Sequence, residues 1–237
     1  MTDRLDKWLC DRTTFSRKDV KAIIRSGRVK VNGETASRPD AHIGETDAVM
    51  LDGKLIAANQ HIYIMLNKPK GVVSVSNAPD DRTVIDLIPD ELRRNGLFPA
   101  GRLDRDTTGF VLITDDGEFA HRILSPRRHV VKTYTATLRD AIQDGYEHAF
   151  REGIVLGDGT KCMSADLVRT DDPRRVIVRL REGRYHQVKR MFASLGNHVS
   201  DLHRDAIGGL ALDPLLREGE CRVLTPEEVS KITEEEM

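Results

Sequence analysis

The chain has 237 residues, of which 39% are hydrophobic and 32% are charged, and its formal net charge is −1. This length accommodates one or two domains, and the apolar fraction is enough for ordinary hydrophobic cores, which excludes wholesale disorder. Because the net charge is close to zero, the protein has no global positive field, and any binding to nucleic acid must depend on local basic patches.

Cysteine usage and hydropathy narrow the class of protein further. Three cysteines, Cys10, Cys162 and Cys221, are far apart and form no Cys-x-x-Cys pair, so neither a disulfide framework nor a zinc site is predicted. No apolar run approaches the roughly 18 residues of a membrane helix, and the N-terminus is charged rather than signal-like. We therefore expect a cytoplasmic protein with no metal site and no membrane partner.

Residues 1–57 are predicted to form a small unit with a basic surface. The first 38 residues contain ten Lys and Arg against five Asp and Glu. Apolar residues at helical spacing predict two short helices, the second of which is capped by Ser16 and ends at Gly27. A strand pattern then leads into Asn32-Gly33, a pair typical of a hairpin turn. Basic side chains interleave on the outside of the second helix, where a lone helix more often has a solvated face than a binding site.

Residues 61–233, after a short predicted linker at 56–60, are predicted to form a larger unit rich in strands. Strands are predicted where hydrophobic residues alternate or run together, and helices where they recur every three or four residues. The predicted strands are 61–66, 72–75, 110–113, 132–138, 176–180, 207–212 and 222–224. The predicted helices are 118–124, 142–150, 185–195 and a short one opened by the capping box Thr225-Pro-Glu-Glu228. A basic, exposed connection is expected at 125–129.

A loop between two glycines, Gly101-Arg-Leu-Asp-Arg-Asp-Thr-Thr-Gly109, is the strongest candidate for a functional site. Its composition suits neither a helix nor a strand, and the buried strand predicted after it would hold it rigidly. Asp104 lies between Arg102 and Arg105, and nearby positive charge keeps a carboxylate ionised by lowering its pKa. A fixed, ionised carboxylate can act as a nucleophile or a general base, although an aspartate in such a loop is more often an Asx-turn or a helix cap.

The same loop resembles the active-site motif of RNA pseudouridine synthases, in the RsuA family that modifies ribosomal RNA. The resemblance continues through Lys132-Thr-Tyr134, Gly183-Arg-Tyr-His-Gln-Val-Lys-Arg-Met191 and Ile207-Gly-Gly209. The first unit resembles the S4-type RNA-binding module at Arg4-Leu-Asp-Lys-Trp-Leu, Ser16-Arg-Lys and Gly27-Arg-Val-Lys-Val-Asn-Gly33. The resemblance implies a two-domain α+β protein. An S4-type RNA-binding domain at 1–57 would precede a pseudouridine synthase catalytic domain at 61–233, built on a mostly antiparallel sheet with flanking helices.

The resemblance also implies three catalytic residues. Asp104 would be the essential catalytic carboxylate. Tyr134 would stack on the flipped uracil, with its hydroxyl available for proton transfer, although an arbitrary strand tyrosine is more often a core residue. Lys189 would be the cation paired with Asp104, at a position where many relatives have arginine. Whether the carboxylate attacks the sugar, attacks the base or removes a sugar proton stays open.

Candidate binding residues follow from the same motifs. Arg102 occupies the position that assists extrusion of the target base, and simple pairing with Asp104 or Asp106 would explain it equally well. His186 and Arg190 are candidate substrate-binding residues, and Arg190 is an alternative partner of Asp104 that the helical wheel makes less favourable. The candidate RNA-binding residues of the first unit are Arg4, Lys7, Arg17, Lys18, Arg25, Arg28 and Lys30.

The implied reaction breaks the N-glycosidic bond of a uridine, turns the uracil and rejoins it to the sugar through carbon. It is an isomerisation without net redox change, so no cofactor is expected. The implied partner is 16S ribosomal RNA or a small-subunit assembly intermediate, and we expect the protein to act as a monomer. Two alternatives remain: a 23S rRNA target, and a non-catalytic S4-type assembly factor, which the first unit alone would support equally well.

Overall fold

The computed structural model describes residues 3–44, 46–56, 61–125 and 130–234. The predicted linker and basic connection lie largely outside the described residues, which leave out 57–60 and 126–129. In the described part of the chain, no helix is both long enough and apolar enough to cross a bilayer.

The chain divides into two compact units. The first comprises residues 1–62 with 88–97, and the second comprises residues 63–87 with 98–237. The sequence did not suggest that 88–97 packs with the N-terminal residues. Asn95 accounts for part of this packing, because its side-chain amide donates to the carbonyl oxygens of Cys10 at 3.2 Å and Phe15 at 3.0 Å.

The first unit packs two helices against small sheets. Its elements are β1 (Asp3–Arg4), α1 (Leu5–Arg12), α2 (Arg17–Arg25), β2 (Val29–Val31), β3 (Glu34–Thr35), β4 (His42–Ile43), β5 (Val49–Leu51) and β6 (Lys54–Leu55). A capping box starts α2: the Ser16 hydroxyl accepts from the Asp19 N–H, and the Asp19 carboxylate accepts from the Ser16 N–H. Strands pair in the order β3-β2-β5-β6, and β1 pairs with β4. The two predicted helices and the hairpin at Asn32-Gly33 are therefore confirmed.

The second unit is built on a sheet that contains nine strands in the described residues. Its elements are β7 (Tyr63–Lys68), β8 (Phe98–Pro99), β9 (Thr108–Thr114), α3 (Gly117–Leu124), β10 (Lys132–Leu138), α4 (Tyr146–Glu152), β11 (Asp166–Arg169), β12 (Arg175–Leu180), α5 (Gln187–Ser194), β13 (Val199–Ile207), β14 (Leu210–Ala211), β15 (Cys221–Val223) and α6 (Pro226–Thr233). The strand order is β11-β12-β10-β13-β9-β7-β15, with β14 on β13 and β8 on β9. Only β9 and β13 pair in parallel among these described strands, so the predicted α+β class with a mostly antiparallel sheet is confirmed.

The strand β9 lies inside this sheet, and all of its residues are buried. Its Phe110 and Leu112 join one hydrophobic cluster with Phe119 and Ile123 of α3 and Ile232 of α6. A strand enclosed by close-packed side chains has little freedom to shift. β9 therefore fixes the end of the glycine-bounded loop that precedes it.

Residues 72–75 do not form the predicted strand. Only Val73 makes a bridge, which pairs it with Thr83. Ser74 turns instead toward Leu103: its hydroxyl donates to the Leu103 carbonyl at 3.0 Å and accepts from the Leu103 N–H at 3.2 Å. The apolar pattern predicted a strand wrongly because these long-range bonds bend the backbone.

Three other boundaries differ from the sequence-based expectation. α5 begins at Gln187 rather than 185, because His186 has a left-handed φ of 50° that a helix cannot include. α4 begins at Tyr146, after Gly145 with a φ of 88°. The strand predicted at 207–212 is instead the last residue of β13, a turn at 208–209 and the short strand β14 (Leu210–Ala211). Most of β13 was not predicted, because its polar residues interrupt the apolar pattern.

Candidate active site

A cavity of about 730 Å³ opens in the second unit. This volume lies within the roughly 300–1,000 Å³ typical of small-molecule sites. The glycine-bounded loop, β10, β13 and the turn before α5 contribute to its wall. The lining side chains that matter most for the chemistry are Arg102, Asp104, Lys132, Tyr134, His186 and Arg204.

Two buried side chains immobilise the loop that carries the candidate carboxylate. On one side, the Ser74 hydroxyl bonds both backbone groups of Leu103. On the other side, the Lys68 ammonium donates to the carbonyl oxygens of Arg105 at 3.3 Å and Thr107 at 2.8 Å. The loop is thus tied to the core immediately before and after its central aspartate.

Lys68 is unusual because its side chain is fully buried, and burial lowers its pKa to about 8. A third bond, to the Pro69 carbonyl at 3.0 Å, engages the last of its three ammonium donors. The ammonium thereby provides partners for loop carbonyls that lie near the core, where an unpaired carbonyl would cost free energy.

The Asp104 carboxylate lies beside two basic side chains. Its Oδ1 is 3.4 Å from His186 Nε2, and its Oδ2 is 3.3 Å from Lys189 Nζ. Lys189 lies closer to Asp106, whose Oδ1 accepts a hydrogen bond at 2.6 Å, and this bond lowers the pKa of Asp106. Lys189 therefore bridges two carboxylates, and the Asp104 side chain, which is 24% exposed, faces the cavity.

Tyr134 enters the same cavity from β10. Alternation along this strand buries Lys132, Tyr134 and Ala136 on one face, as the sequence predicted. The Tyr134 hydroxyl lies 3.5 Å from Arg204 Nη1, and the Arg204 guanidinium carbon lies 6.0 Å from the centre of the tyrosine ring. An aromatic ring that lines a cavity of this size can stack on an unpaired base.

Gly109 allows β9 to approach β13 at Arg204. A Cβ atom on Gly109 would lie 2.4 Å from the Arg204 carbonyl oxygen and 2.7 Å from its nitrogen, and the φ of Gly109 is +102°. Only glycine tolerates both conditions. The Arg204 side chain then reaches back to β9, where its Nε donates to the Phe110 carbonyl at 2.7 Å. The close approach thus joins the glycine-bounded loop at 101–109, the aspartate loop, to the strand that carries this arginine.

The other candidate residues occupy different positions. Arg102 is exposed and lines the cavity, and within the described residues it has no ion pair with Asp104 or Asp106. Arg190 points away and pairs with Asp158. Lys189 contacts Asp104 without lining the cavity wall. In the part of the chain that the structure describes, no three His, Cys, Asp or Glu side chains are grouped so that they could hold a metal ion.

Sequence reasoning missed Lys132 and Arg204 as cavity residues. Lys132 Nζ donates to the carbonyl oxygens of Ile123 at 3.2 Å and Val130 at 2.8 Å. Burial, together with a smaller effect of the positive charge of Arg204, lowers the pKa of Lys132 to about 8. The sequence did contain a signal: Lys132 lies two residues before Tyr134 on β10 and so shares the buried face of the strand, where a lysine is uncommon.

The basic residues proposed for RNA binding in the first unit are all exposed. Three of them have acidic neighbours: Arg28 Nε donates to Asp52 at 2.8 Å, Arg4 pairs with Asp6 at 2.9 Å, and Lys7 pairs with Asp3 at 3.6 Å. Within the described residues, the basic side chains of α2 form no ion pair, and they are therefore free to meet phosphate groups. These α2 residues are Arg17, Lys18, Lys21 and Arg25.

Known proteins share this organisation. The family model for RNA pseudouridylate synthase matches residues 62–194, and the S4 domain matches residues 3–49. The chain is 43% identical to ribosomal small subunit pseudouridine synthase A of Escherichia coli, across 97% of this chain and 99% of the relative. It is 40% identical to an uncharacterized RNA pseudouridine synthase of Bacillus subtilis, across 98% of each. A crystal structure of a pseudouridylate synthase has a TM-score of 0.68 and 42% identity, and the match covers 97% of this chain and 99% of that one.

An S4 domain followed by a pseudouridylate synthase domain defines an enzyme that isomerises uridine in RNA. The chain belongs to the RNA pseudouridine synthase family, in the RsuA branch that combines these two domains. The class of enzyme expected from the sequence motifs is therefore confirmed.

Proposed function

We propose that this pseudouridine synthase isomerises a specific uridine of 16S ribosomal RNA, with Asp104 as the essential catalytic carboxylate. The observation that carries the catalytic part is the cavity lined by Asp104 and Tyr134, with Lys189 and His186 at the carboxylate. Relatives named for the ribosomal small subunit support 16S rRNA as the substrate. The enzyme acts in the cytoplasm as a monomer, on the RNA or on an assembling small subunit.

The target base must leave its stack before its glycosidic bond can be reached, which costs a few kcal/mol. The exposed guanidinium of Arg102, at the cavity wall, can occupy the vacated space by stacking on neighbouring bases. Tyr134 then receives the extruded uracil against its ring and offers its hydroxyl for proton transfer. These two residues divide the work of extruding and holding the base.

Asp104 then acts on the bound nucleotide. Lys189 orients the carboxylate through its contact at 3.3 Å, and the bonds of Ser74 and Lys68 to the loop backbone prevent it from moving away. Fixed geometry of this kind contributes to the rate because the reacting groups need no further ordering. The carboxylate attacks the sugar or the base, or removes a sugar proton, while the glycosidic bond breaks.

The proposed role of Asp104 is tested with Asp104→Asn, which preserves shape and removes charge. We expect pseudouridine formation on a pure 16S transcript to fall by about 10⁴-fold or more, with RNA affinity nearly unchanged. Asp158→Asn is the matched control, because Asp158 pairs with Arg190 outside the cavity, and it should keep wild-type activity. Wild-type activity in Asp104→Asn would rule out the catalytic role.

The proposed target is tested by mapping pseudouridines in ribosomal RNA from cells with and without the gene. We expect one pseudouridine to disappear from 16S rRNA and to return when the purified enzyme is added. A site lost only from 23S rRNA would reassign the substrate. Comparing naked RNA with a partly assembled small subunit in the same assay identifies the physical form of the substrate.

A further inference from the structure

We propose that Arg204 is a further catalytic residue, which donates from its free Nη2 to a carbonyl oxygen of the bound uracil. This contact stabilises the negative charge that the base acquires when its glycosidic bond breaks. The inference rests on the proposed function of the cavity and adds a specific role at its wall.

The first observation concerns the hydrogen bonds of Arg204. Arg204 is only 3% exposed. Nε donates to the Phe110 carbonyl, and Nη1 lies 3.5 Å from the Tyr134 hydroxyl. Within the described residues, the buried Nη2 has no hydrogen-bond partner. An arginine cannot lose its proton in a protein, and a buried donor without an acceptor is costly. Because Arg204 lines the cavity, a bound ligand can supply the missing acceptor.

The rest of the cavity wall supports a ligand that is polar and becomes negative. Thr107 Oγ1 is a second buried atom of a lining residue that has no partner within the described residues. Lys132 and Arg102 are further basic residues of the wall. The carboxylate of Glu182 also belongs to the wall, but it already accepts bonds from Gln187 and Arg184.

The position of the guanidinium relative to Tyr134 fits an edge contact with the base. The guanidinium carbon is 6.0 Å from the ring centre, and Nη1 is 3.5 Å from the hydroxyl, so the group lies at the hydroxyl end of the ring. A uracil stacked on this ring presents a carbonyl edge toward the same end. Nη2 of Arg204 is then the donor available to O2 or O4.

The chemistry of the reaction explains why such a donor would accelerate it. When the C1′–N1 bond breaks, its electron pair stays with the uracil, and the negative charge is shared by N1, O2 and O4. The base turns, C5 forms the new bond to C1′, the C5 proton leaves and N1 takes up a proton, so atoms and charges balance. A fixed guanidinium stabilises the anion more than the neutral base, and only such differential binding lowers the barrier.

The test couples a protein substitution to a single-atom change in the substrate. Synthetic 16S fragments carry uridine, 2-thiouridine or 4-thiouridine at the mapped target, because sulfur accepts hydrogen bonds poorly. Single-turnover rates are measured for the wild type, Arg204→Gln and Arg204→Lys. On the uridine fragment we expect a rate loss of about 100-fold for Arg204→Gln, as for loss of one oxyanion donor, and a smaller loss for Arg204→Lys.

The decisive result is the coupling between the two changes. For each protein, the factor compared is its rate on the uridine fragment divided by its rate on a thiouridine fragment. If Nη2 contacts one carbonyl, this factor differs at least tenfold between the wild type and the variants when sulfur replaces that oxygen. When sulfur replaces the other oxygen, the factor is the same in all proteins. Equal factors in all proteins at both positions would overturn the role of Arg204, and a purely structural role would give that result. Arg204→Lys keeps a buried cation, so the same comparison with the wild type can be made with this variant if Arg204→Gln does not fold. A wild-type enzyme that forms no pseudouridine on the uridine fragment would instead refute the proposed function.

Discussion

At the scale of single residues, buried cations shape the candidate site. Lys68, Lys132 and Arg204 are all buried, although such side chains normally remain at the surface. Each donates to at least one backbone carbonyl, and two of the three carbonyls that Lys68 bonds belong to the aspartate loop. Hydrogen bonds to carbonyls offset part of the cost of removing a charge from water. The same bonds tie neighbouring segments together around the cavity.

The pKa of Lys132 predicts a specific dependence of stability on pH. Burial lowers it from 10.5 to about 8, so between these values the unfolded chain holds a proton that the folded chain has lost. Stability therefore rises with pH in this window, and below pH 8 both states are protonated and the slope vanishes. We expect Lys132→Met to reduce the gain in unfolding free energy between pH 8 and pH 10 by about 2 kcal/mol.

Urea unfolding at pH 8, 9 and 10 measures this difference in slope. Lys161→Met, at an exposed position, is the control and should leave the wild-type slope unchanged. Identical slopes for the wild type and Lys132→Met would show that Lys132 does not titrate in this range.

At the scale of secondary-structure elements, the contact of β9 with β13 organises the site. Among the described strands it is the parallel step in an otherwise antiparallel sheet, and it pairs Thr108 with His203 and Gly109 with Arg204. The Thr108 hydroxyl also lies 2.8 Å from His203 Nδ1. The aspartate loop and Arg204 therefore depend on one short junction for their relative positions.

Substitution of Gly109 should disrupt this junction. A Cβ atom at Gly109 would collide with backbone atoms of Arg204, which cannot move independently of β13. Gly159→Ala is the matched control, because Gly159 also has a positive φ of +81° but nothing lies within 4 Å of its added Cβ. We expect Gly109→Ala to lower the free energy of unfolding by about 3 kcal/mol and the control by about 1 kcal/mol.

Urea unfolding and single-turnover activity together check this prediction. Activity of Gly109→Ala should fall at a temperature where the variant is still folded, since the aspartate loop loses its register with β13. Equal destabilisation by the two substitutions would mean that the positive φ alone, and not the close approach, requires glycine at 109.

At the scale of the whole molecule, charge is local rather than global. The formal net charge is −1, yet the exposed face of α2 carries Arg17, Lys18, Lys21 and Arg25. A nearly neutral protein attracts RNA only where basic side chains cluster without acidic partners. We therefore predict that the first unit contributes affinity for RNA, whereas the chemistry resides in the second.

Charge reversal on α2 separates these two contributions. The triple variant Arg17→Glu, Lys18→Glu and Arg25→Glu should bind the 16S substrate about tenfold or more weakly at moderate salt, and its affinity should depend less steeply on salt. Turnover of a short fragment around the target should survive. A control with the same change in net charge reverses three other exposed residues, Arg151, Lys161 and Arg217. Equal loss of affinity in both triple variants would argue against a specific role for α2.

Much of the fold follows from local patterns. The helix cap at Ser16, the hairpin at Asn32-Gly33 and the alternation around Tyr134 each depend on neighbouring residues, and each was predicted correctly. Errors arose where distant residues intervene. Ser74 bends a strand-like run because it bonds Leu103, and His186 leaves the expected helix and lies beside the aspartate loop.

The sequence by itself determined the class of enzyme and the identity of the candidate carboxylate and aromatic ring, because long motifs and local periodicity are written in adjacent residues. Tertiary structure alone decided that Lys189 bridges Asp104 and Asp106, and that a buried arginine of the cavity wall has a donor without a partner among the described residues. Hydrogen-bond partners and burial depend on which segments meet in space. Here the packing of β9 against β13 brings these segments together, and no single stretch of the chain contains both strands.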